Sequence, residues 1–492
     1  MSHEKGHSSL FSDDYQLQGK ALAQVGISRP VDPSRFPEHP EEMVWQARAV
    51  SLSMDPAEVE RIQLAGLRKR FADLRSKIPA LDSLATEQGV DEIETLNDAA
   101  ALLFKHSVYK SYPVSMIEKN RYDRLTAWLA KLTTCDLSAV KTEGVESIDD
   151  WLDAIRRDAG VRVLHTTGTS GKLSFLPRGP AEAARQVRYS YLPITRDDEE
   201  DPADLDRMPM ILIGYRHMYN AYGAMIDSVV EELYEGDESM LHPLYPGRMS
   251  ADVVSLGGRI SAANDRGDRS SISPSLLARR EKFIEDQKQA PAQRKAFYDK
   301  IFDTLRGKSI IMAANWIMLY EMMEAGRARG LTGVFAPDSR ITVAGGTKGK
   351  TLPDGYQEQI REFLGVPSFF EGYGMSEMST LMPQCSEGKF HALPWMIVYL
   401  LDPETGQPVP REGTHTGRFG VIDLAQESRW GGVLSGDEVT MTFGPCKCGK
   451  SGPFVEPMIR RFSEKEGGDD KITCAGAPEA HDKALAFLTE ME

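Results

Sequence analysis

Short apolar segments between helical stretches constrain the fold of this chain more than any other feature. Residues 208–215, 308–314 and 339–346 form such segments. Their alternation with helical stretches is typical of buried strands in an α/β sheet. From about 397 to 445 the pattern becomes short and turn-rich, which predicts a small β-subdomain. We therefore expect an α/β fold with a β-rich part near its end.

The chain is long enough for several structural units. Its 492 residues allow about three domains or one large multi-lobed domain. A helix is predicted after Asp55, which can cap it, with Pro56 at its first position and Pro79 at its end. We expect an N-terminal arm and helical region packed on the core, then the core itself, then a short C-terminal segment, over 1–150, 151–460 and 461–492.

Charge and cysteine content exclude several classes of protein. The 58 basic and 73 acidic residues give a formal net charge of −15, which argues against a dedicated nucleic-acid binder. Five cysteines are too few for a disulfide framework in so long a chain, so a reducing compartment is expected. No run of 18 apolar residues and no secretory signal pattern is present. We therefore expect a soluble cytoplasmic enzyme with neither nucleic-acid nor membrane partners.

A loop rich in glycine and hydroxyl residues follows a short apolar strand that is predicted to end at Leu164. The loop comprises Thr166, Thr167, Gly168, Thr169, Ser170, Gly171 and Lys172. Backbone amides, hydroxyls and a lysine in such a loop suit phosphate binding. The pattern is not a Walker A loop, because Thr166 stands where its first glycine belongs and Leu173 follows the lysine. An ordinary Gly/Ser turn remains the alternative for this loop taken alone.

Three further motifs follow the loop in order: GGTK at 345–348, GYGMSE at 372–377 and SGDE at 435–438. Together the four motifs resemble those of the adenylate-forming superfamily, and most closely the phenylacetate-CoA ligase type and bacterial acyl-protein synthetases. The resemblance implies an α/β fold with two stacked, helix-flanked sheets, a small β-subdomain and a truncated C-terminal lobe. The chain departs from the family pattern at Lys172, which is moved forward, so that Ser174 occupies the usual lysine position.

The resemblance also implies a site for ATP. The 166–172 loop would hold the β- and γ-phosphates, and Gly345 and Gly346 would line the adenine and acyl pockets with Thr347 and Lys348 at their rim. Tyr373 would stack on adenine, Ser376 would face the α-phosphate, and Asp437 would accept hydrogen bonds from the ribose. The remaining residues assigned to the nucleotide are Gly372, Gly374, Met375 and Arg461.

The implied reaction is activation of a carboxylic acid. Glu377 would bind Mg²⁺, and His217 would line the carboxylate site. The acid would attack the α-phosphorus of ATP, pyrophosphate would leave, and the acyl group would pass to a thiol of a carrier protein, of CoA or of the enzyme. The alternatives are an amide-forming ligase with an amine acceptor, and a non-catalytic relative that acts as a binding subunit.

The mobile lobe that follows the core in this superfamily is expected to be absent or vestigial, because only 16 residues follow Gly476. Lys471 is a candidate for the catalytic lysine of that lobe, and a partner enzyme is another way to complete the second half-reaction. Cys474 is a candidate acyl acceptor, and an inert cysteine is the alternative. For assembly, we expect a homodimer.

Cysteine and histidine residues near the end of the chain form a pattern of metal ligands. Thiolates and an imidazole in two short pairs suit tetrahedral Zn²⁺, and the ligands would be Cys385, His391, Cys446 and Cys448. The phenylacetate-CoA ligase-like group has a comparable set that forms a structural zinc site. Buried free thiols and a surface histidine are the alternative.

Overall fold

The computed structural model describes residues 30–167, 172–192, 205–256, 280–344 and 351–462. Its α-helices are α1 (Arg48–Ser51), α2 (Pro56–Arg75), α3 (Pro79–Gln88), α4 (Ser115–Glu118), α5 (Tyr122–Leu129), α6 (Ile148–Ala159), α7 (Pro180–Ala184), α8 (Gln186–Tyr191), α9 (Ala221–Ser228), α10 (Arg280–Thr304), α11 (Trp316–Arg327) and α12 (Tyr356–Leu364). Its strands are β1 (Phe104–Lys105), β2 (Arg162–Thr167), β3 (Leu173–Arg178), β4 (Met210–His217), β5 (Leu241–Arg248), β6 (Ile311–Ala314), β7 (Arg340–Val343), β8 (Phe370–Tyr373), β9 (Met382–Pro383), β10 (Phe390–His391), β11 (Met396–Leu401), β12 (Gly413–Asp423), β13 (Gly432–Phe443), β14 (Phe454–Val455) and β15 (Arg460–Arg461).

A mostly parallel sheet contains the three apolar segments noted in the sequence, as β4, β6 and β7. Within the described residues it has six strands in the order β5-β4-β6-β7-β8-β9, and β9 runs antiparallel to β8. Met210 and Leu212 of β4 belong to one hydrophobic cluster, and Ile211 and Ile213 belong to the cluster that contains α11 and α12. Both faces of the strand are therefore buried, which explains its continuous apolar sequence.

A second sheet is mostly antiparallel. Among the described residues it has seven strands, with the path β10-β14-β13-β12-β11 and with β1 and β15 also paired to β13. The strands β11, β12 and β13 occupy the turn-rich segment near 397–445. The predicted α/β fold with more than one sheet is confirmed.

Helices from the N-terminal part pack on this second sheet. Asp55 caps α2 by accepting hydrogen bonds from the backbone amides of Ala57 and Glu58, as its position before Pro56 predicts. The side-chain amide of Gln63 in α2 donates to the carbonyl of Pro394 at 2.9 Å, just before β11. Pro79 was expected to end this helix, but α2 already ends at Arg75 and Pro79 begins α3, because proline fits the first position of a helix. None of the helices in the described ranges is long and apolar enough to cross a membrane.

Candidate functional site

The carboxyl ends of the parallel strands bring several predicted site residues to one edge of the sheet. The strands β4, β6, β7 and β8 are parallel neighbours, so their last residues lie at the same edge. His217 ends β4, Ala344 follows β7, and Tyr373 ends β8. In open α/β sheets, ligands bind outside this edge. The topology therefore places three features at this edge. They are His217, Ala344 just before the GGTK motif, and the GYGMSE motif.

Tyr373 and Asp437 meet although 64 residues separate them in the chain. The phenol of Tyr373 donates to Oδ2 of Asp437 at 2.9 Å. Asp437 lies on β13 opposite Arg461 of β15, whose Nε is 3.7 Å from Oδ1 of Asp437. Burial, and then the neighbouring carboxylate, raise the pKa of Tyr373 well above its usual value, so the phenol stays protonated and donates. Three residues that the motifs assign to the nucleotide are thus in one place.

The ring of Tyr373 is buried in an aromatic cluster. The side chain is 7% exposed, and its ring packs edge-on against Phe419 with 5.1 Å between centroids and at 6.1 Å from Phe390. This packing fixes the phenol toward Asp437. Stacking of Tyr373 on adenine stays a prediction.

The GYGMSE motif begins in β8 and continues into a tight turn. The amide of Met378 donates to the carbonyl of Met375 at 3.0 Å. A Cβ at Gly372 would lie 2.8 Å from Cβ of Leu381, and one at Gly374 would lie 2.9 Å from Cδ2 of the same leucine. Both positions need glycine because the chain that returns through β9 packs directly against them.

Glu377 is a buried carboxylate in this turn, 8% exposed. Burial raises its pKa, while its own backbone amide and the positive charges of Arg429 and Lys110 act in the opposite direction, and Asp437 acts with burial. A carboxylate is a hard oxygen ligand of the kind that a divalent cation prefers. The side chain of the preceding Ser376 is partly exposed.

The glycine- and hydroxyl-rich loop joins two paired strands. The strand was expected to end at Leu164, but β2 continues to Thr167, because Thr166 pairs with Ser174 and Thr167 with Leu173 of β3. Thr166 and Thr167 thus belong to a strand and not to the loop. Ser174, at the usual position of the family lysine, is buried within β3.

Lys172 lies at the start of β3 and faces the N-terminal region. Its ammonium donates to the backbone carbonyl oxygen of Tyr112 at 2.9 Å and lies 5.7 Å from the centre of the Tyr112 ring. Partial burial lowers the pKa of this lysine. A catalytic role for Lys172 stays a prediction, and so does phosphate binding by the loop.

His217 is exposed at the end of β4, opposite Arg248 of β5. Incomplete hydration of the imidazole, followed by the charge of Arg216, lowers its pKa, which favours the neutral form at neutral pH. A neutral imidazole can accept a hydrogen bond from a bound acid or donate one to it. Its assignment to the carboxylate site stays a prediction.

Some predicted site residues lie outside the described residues. They are Gly168, Thr169, Ser170, Gly171, Gly345, Gly346, Thr347, Lys348, Lys471 and Cys474.

The four predicted metal ligands lie together. The ligand atoms of Cys385, His391, Cys446 and Cys448 are all within 4.8 Å of one another, and Nε2 of His391 lies 3.5 Å from Sγ of Cys448. Thiolates with zinc–sulfur bonds of about 2.3 Å around one ion need such spacing. His391 is fully buried, so the surface histidine of the alternative is wrong, and zinc binding by the four residues stays a prediction.

Two similar turns present these thiols. The amide of Cys385 donates to the carbonyl of Lys389, and the amide of Cys446 donates to the carbonyl of Lys450, at 2.8 and 3.1 Å. Gly388 and Gly449 take positive φ of 71° and 85° in these turns, a conformation that favours glycine. Burial, and then Lys450, lower the pKa of His391 to about 4, so its imidazole is neutral, as a metal ligand must be. The residues present fit a tetrahedral zinc ion.

Sequence reasoning missed the side chains that hold the GYGMSE turn. Arg178 and Arg429 are buried and donate to backbone carbonyls of that turn, and Gln426 donates to the same segment. The signal available in the sequence was a charged residue inside a largely apolar context, as in SFLPRG and SRWGG. Lys, Glu, Arg and Asp are almost never fully buried unless paired, so such a position marks a specific partner.

Comparison with known proteins adds a likeness in fold. No protein-family model matches the chain, and no curated protein matches its sequence. The structure is similar to 2-hydroxyisobutyryl-CoA ligase in complex with 2-HIB-AMP and CoA in the thioesterification state, with 15% identity, a TM-score of 0.50, and coverage of 87% of this chain and 72% of that one. The chain shares the fold of this ligase. The predicted superfamily resemblance is thus confirmed at the level of the fold.

Two further structures show weaker similarity. An open conformation of the same ligase has a TM-score of 0.47 and 14% identity, with 85% of this chain and 78% of that chain covered. ATP-bound MatB from Rhodopseudomonas palustris has a TM-score of 0.31 and 13% identity, with 61% and 50% covered. The likeness to the phenylacetate-CoA ligase subgroup stays a prediction.

Proposed function

We propose that this protein uses ATP and Mg²⁺ to convert a carboxylic acid into an acyl-adenylate and pyrophosphate, and then transfers the acyl group to a thiol. The observation that supports this most strongly is the hydrogen bond between Tyr373 and Asp437 at the carboxyl edge of the parallel sheet. It joins two separate motifs at the edge where α/β sheets bind ligands. The 2-hydroxyisobutyryl-CoA ligase with this fold was solved with an acyl-AMP and CoA, which supports the same chemistry.

The nucleoside would lie against Asp437. Its Oδ2 accepts the phenol of Tyr373 and its Oδ1 faces Arg461, so the carboxylate is held in one orientation. A fixed carboxylate can accept hydrogen bonds from the two ribose hydroxyls.

Glu377 would bind Mg²⁺ that accompanies the triphosphate, because a carboxylate is a hard oxygen ligand. The bound ion would neutralise charge on the phosphate oxygens. The chain itself contributes a turn whose backbone is anchored at the carbonyl of Glu377 by the side chain of Arg429.

The reaction needs positioning more than a protein nucleophile. An oxygen of the acid attacks the α-phosphorus, a new P–O bond forms, and the bond to the bridging oxygen of pyrophosphate breaks. Such phosphoryl chemistry depends on alignment and on stabilisation of charge. His217, at the carboxyl edge, would orient the acid, and the 166–172 loop would hold the β- and γ-phosphates.

The acyl acceptor is proposed to be a thiol of CoA or of a carrier protein. The complex of the 2-hydroxyisobutyryl-CoA ligase with CoA favours a thiol over an amine. Lys471 as a catalytic lysine and Cys474 as an acceptor remain further proposals, as does a homodimer. A non-catalytic role is the second candidate, because the ammonium of Lys172 is hydrogen-bonded to the carbonyl of Tyr112.

We also propose that the Cys/His cluster, which comprises Cys385, His391, Cys446 and Cys448, holds a structural zinc ion. Four protein ligands close the coordination sphere, and a closed site stabilises the fold without taking part in chemistry.

Exchange of labelled pyrophosphate into ATP tests the proposed reaction. Purified protein is incubated with ATP, Mg²⁺ and a panel of fatty, aryl, hydroxy and amino acids. Exchange that depends on one class of acid is expected, and Glu377→Ala should lower it about 100-fold or more. Absence of exchange with every acid, in protein that binds ATP, would support the binding-subunit alternative. Product analysis with CoA, carrier protein and amines then identifies the acceptor.

A further inference from the structure

Side chains from distant parts of the chain bind the backbone of the turn that contains Glu377. The carbonyl of Glu377 accepts from Nη2 of Arg429 at 2.7 Å and from Nε2 of Gln426 at 2.6 Å. Nη2 of Arg178 donates to the two neighbouring carbonyls, that of Met378 at 3.1 Å and that of Ser376 at 3.4 Å. Three consecutive carbonyls are therefore bound by side chains and not by a helix or a sheet.

The arginines that bind these carbonyls are buried. Arg429 is 1% exposed and Arg178 is 5% exposed. Burial of a guanidinium is unfavourable unless it is paired and hydrogen-bonded. Their mutual repulsion lowers the pKa of Arg178, after burial itself. Two guanidinium groups are thus concentrated at one turn, where the charges of Glu182 and Asp423 act in the opposite direction and raise the pKa of Arg178.

Buried acids hold the segment that presents Arg429. One carboxylate oxygen of Glu182 accepts from the amides of Glu427 and Ser428, at 2.7 and 2.8 Å. Asp423 accepts from the amides of Ser379 and Ala425, at 2.6 and 3.1 Å. The carboxylate of Asp423 therefore ties the end of the Glu377 turn to the segment that contains Arg429.

Arg188 provides an internal comparison. It is also 1% exposed, and it donates to the carbonyls of Val44 and Gln46 at 2.7 and 3.2 Å. Those carbonyls belong to the N-terminal segment, and neither Val44 nor Gln46 is a predicted site residue. A buried arginine on backbone carbonyls can therefore be purely structural in this chain, so the target of Arg429 is the feature that matters.

We propose that Arg429, with Arg178, is a positioning residue of the magnesium site: its guanidinium fixes the carbonyl of Glu377 so that the carboxylate of the same residue meets the metal bound to ATP. This inference rests on the proposed adenylation activity and assigns to it residues outside the four motifs. Arg429 touches neither the metal nor the nucleotide and acts through Glu377.

The test compares Arg429→Lys with Arg188→Lys. Both variants keep a buried positive charge and lose the planar fork that binds carbonyls. The measurement is the Mg²⁺ concentration that gives half-maximal pyrophosphate exchange, at saturating acid, together with the midpoint of thermal unfolding. Arg429→Lys should raise the half-saturating Mg²⁺ concentration about 10-fold, as loss of a residue that orients a metal ligand does. Arg188→Lys should change it less than about twofold at a similar loss of thermal stability.

Each result decides the inference. If Arg429→Lys and Arg188→Lys have the same Mg²⁺ requirement as the wild type, the positioning role is wrong and the adenylation activity stands. If none of the tested acids supports pyrophosphate exchange by the wild type, both proposals fail. If Arg429→Lys does not fold, Gln426→Leu decides, because it removes one donor to the carbonyl of Glu377 without altering a buried charge. A several-fold increase in the Mg²⁺ requirement of that variant supports the inference, and an unchanged requirement overturns it.

Discussion

The turn that contains Glu377 and the Cys/His cluster are both buried polar sites, but they are assembled differently. At the turn, guanidinium and amide groups of the chain already bind the backbone carbonyls. At the cluster, three thiols and an imidazole converge within 4.8 Å, and Nδ1 of His391 is buried without a hydrogen-bond partner among the described residues. The polar groups of the Glu377 turn are paired within the chain, whereas the Cys/His cluster brings four electron-pair donors close together.

This difference separates a site formed by folding from one formed with a ligand. Buried charges that are paired within the chain hold their geometry without a bound group. Closely packed thiols repel one another once ionised, and a metal ion removes that repulsion, so its binding contributes directly to folding. We therefore expect the turn to keep its structure without ATP, and the cluster to depend on its ion.

The largest expected effect is loss of the metal in Cys446→Ser. Wild-type protein should contain roughly one zinc ion per chain, and this variant should contain none and lose several kcal/mol of unfolding free energy. Metal analysis and chemical denaturation measure both quantities. Cys135→Ser is the matched control, since Cys135 lies outside the cluster, near Thr133 and Ser428. Equal stability of Cys446→Ser and wild type, with no zinc in either, would remove the metal from the comparison.

Asp437→Asn is expected to affect the proposed nucleotide site and not the Cys/His cluster. The variant keeps the shape of the side chain and loses its charge, so affinity for ATP should fall about 10- to 100-fold. Calorimetric titration measures this, and zinc content should not change. Glu438→Gln is the control, because Glu438 is the next residue of β13 and pairs in register with Arg460. A drop in zinc content together with ATP affinity would show that the two regions are not independent.

The smallest effect is expected for Tyr373→Phe. This variant keeps the ring packed on Phe419 and removes only the hydrogen bond to Asp437. Affinity for ATP should fall about 5-fold, which corresponds to roughly 1 kcal/mol for one hydrogen bond. The same titration measures it. An effect as large as that of Asp437→Asn would mean that the phenol itself contacts the nucleotide.

Local sequence patterns predicted much of the fold. The apolar segments became β4, β6 and β7 because burial on both faces requires apolar side chains at every position. Asp55 and Pro56 located the start of α2, since capping is local. The ends of elements were predicted less well. β2 continued past Leu164 to Thr167 because pairing with β3, a tertiary contact, extended it.

For the candidate site, motifs indicated residues but not their support. Tyr373, Glu377 and Asp437 were found in the sequence because each lies in a short motif, and Cys446 and Cys448 were found by ligand spacing. Arg178 and Arg429 were not found, because each acts on a backbone carbonyl about 200 or about 50 residues away. A carbonyl has no residue type, so a sequence pattern can mark a buried arginine but does not reveal which carbonyl it binds.

The sequence by itself determined the chemical types at the candidate site: glycines where the chain packs closely, carboxylates proposed to bind a ribose and a cation, and thiols with an imidazole proposed to bind zinc. Only the tertiary structure decided which of these groups meet. The phenol of Tyr373 reaches Asp437, and four ligand atoms lie within 4.8 Å, because two sheets and their connecting turns pack together. Residue type depends on local chemistry, whereas proximity depends on the burial of apolar surface across the whole chain.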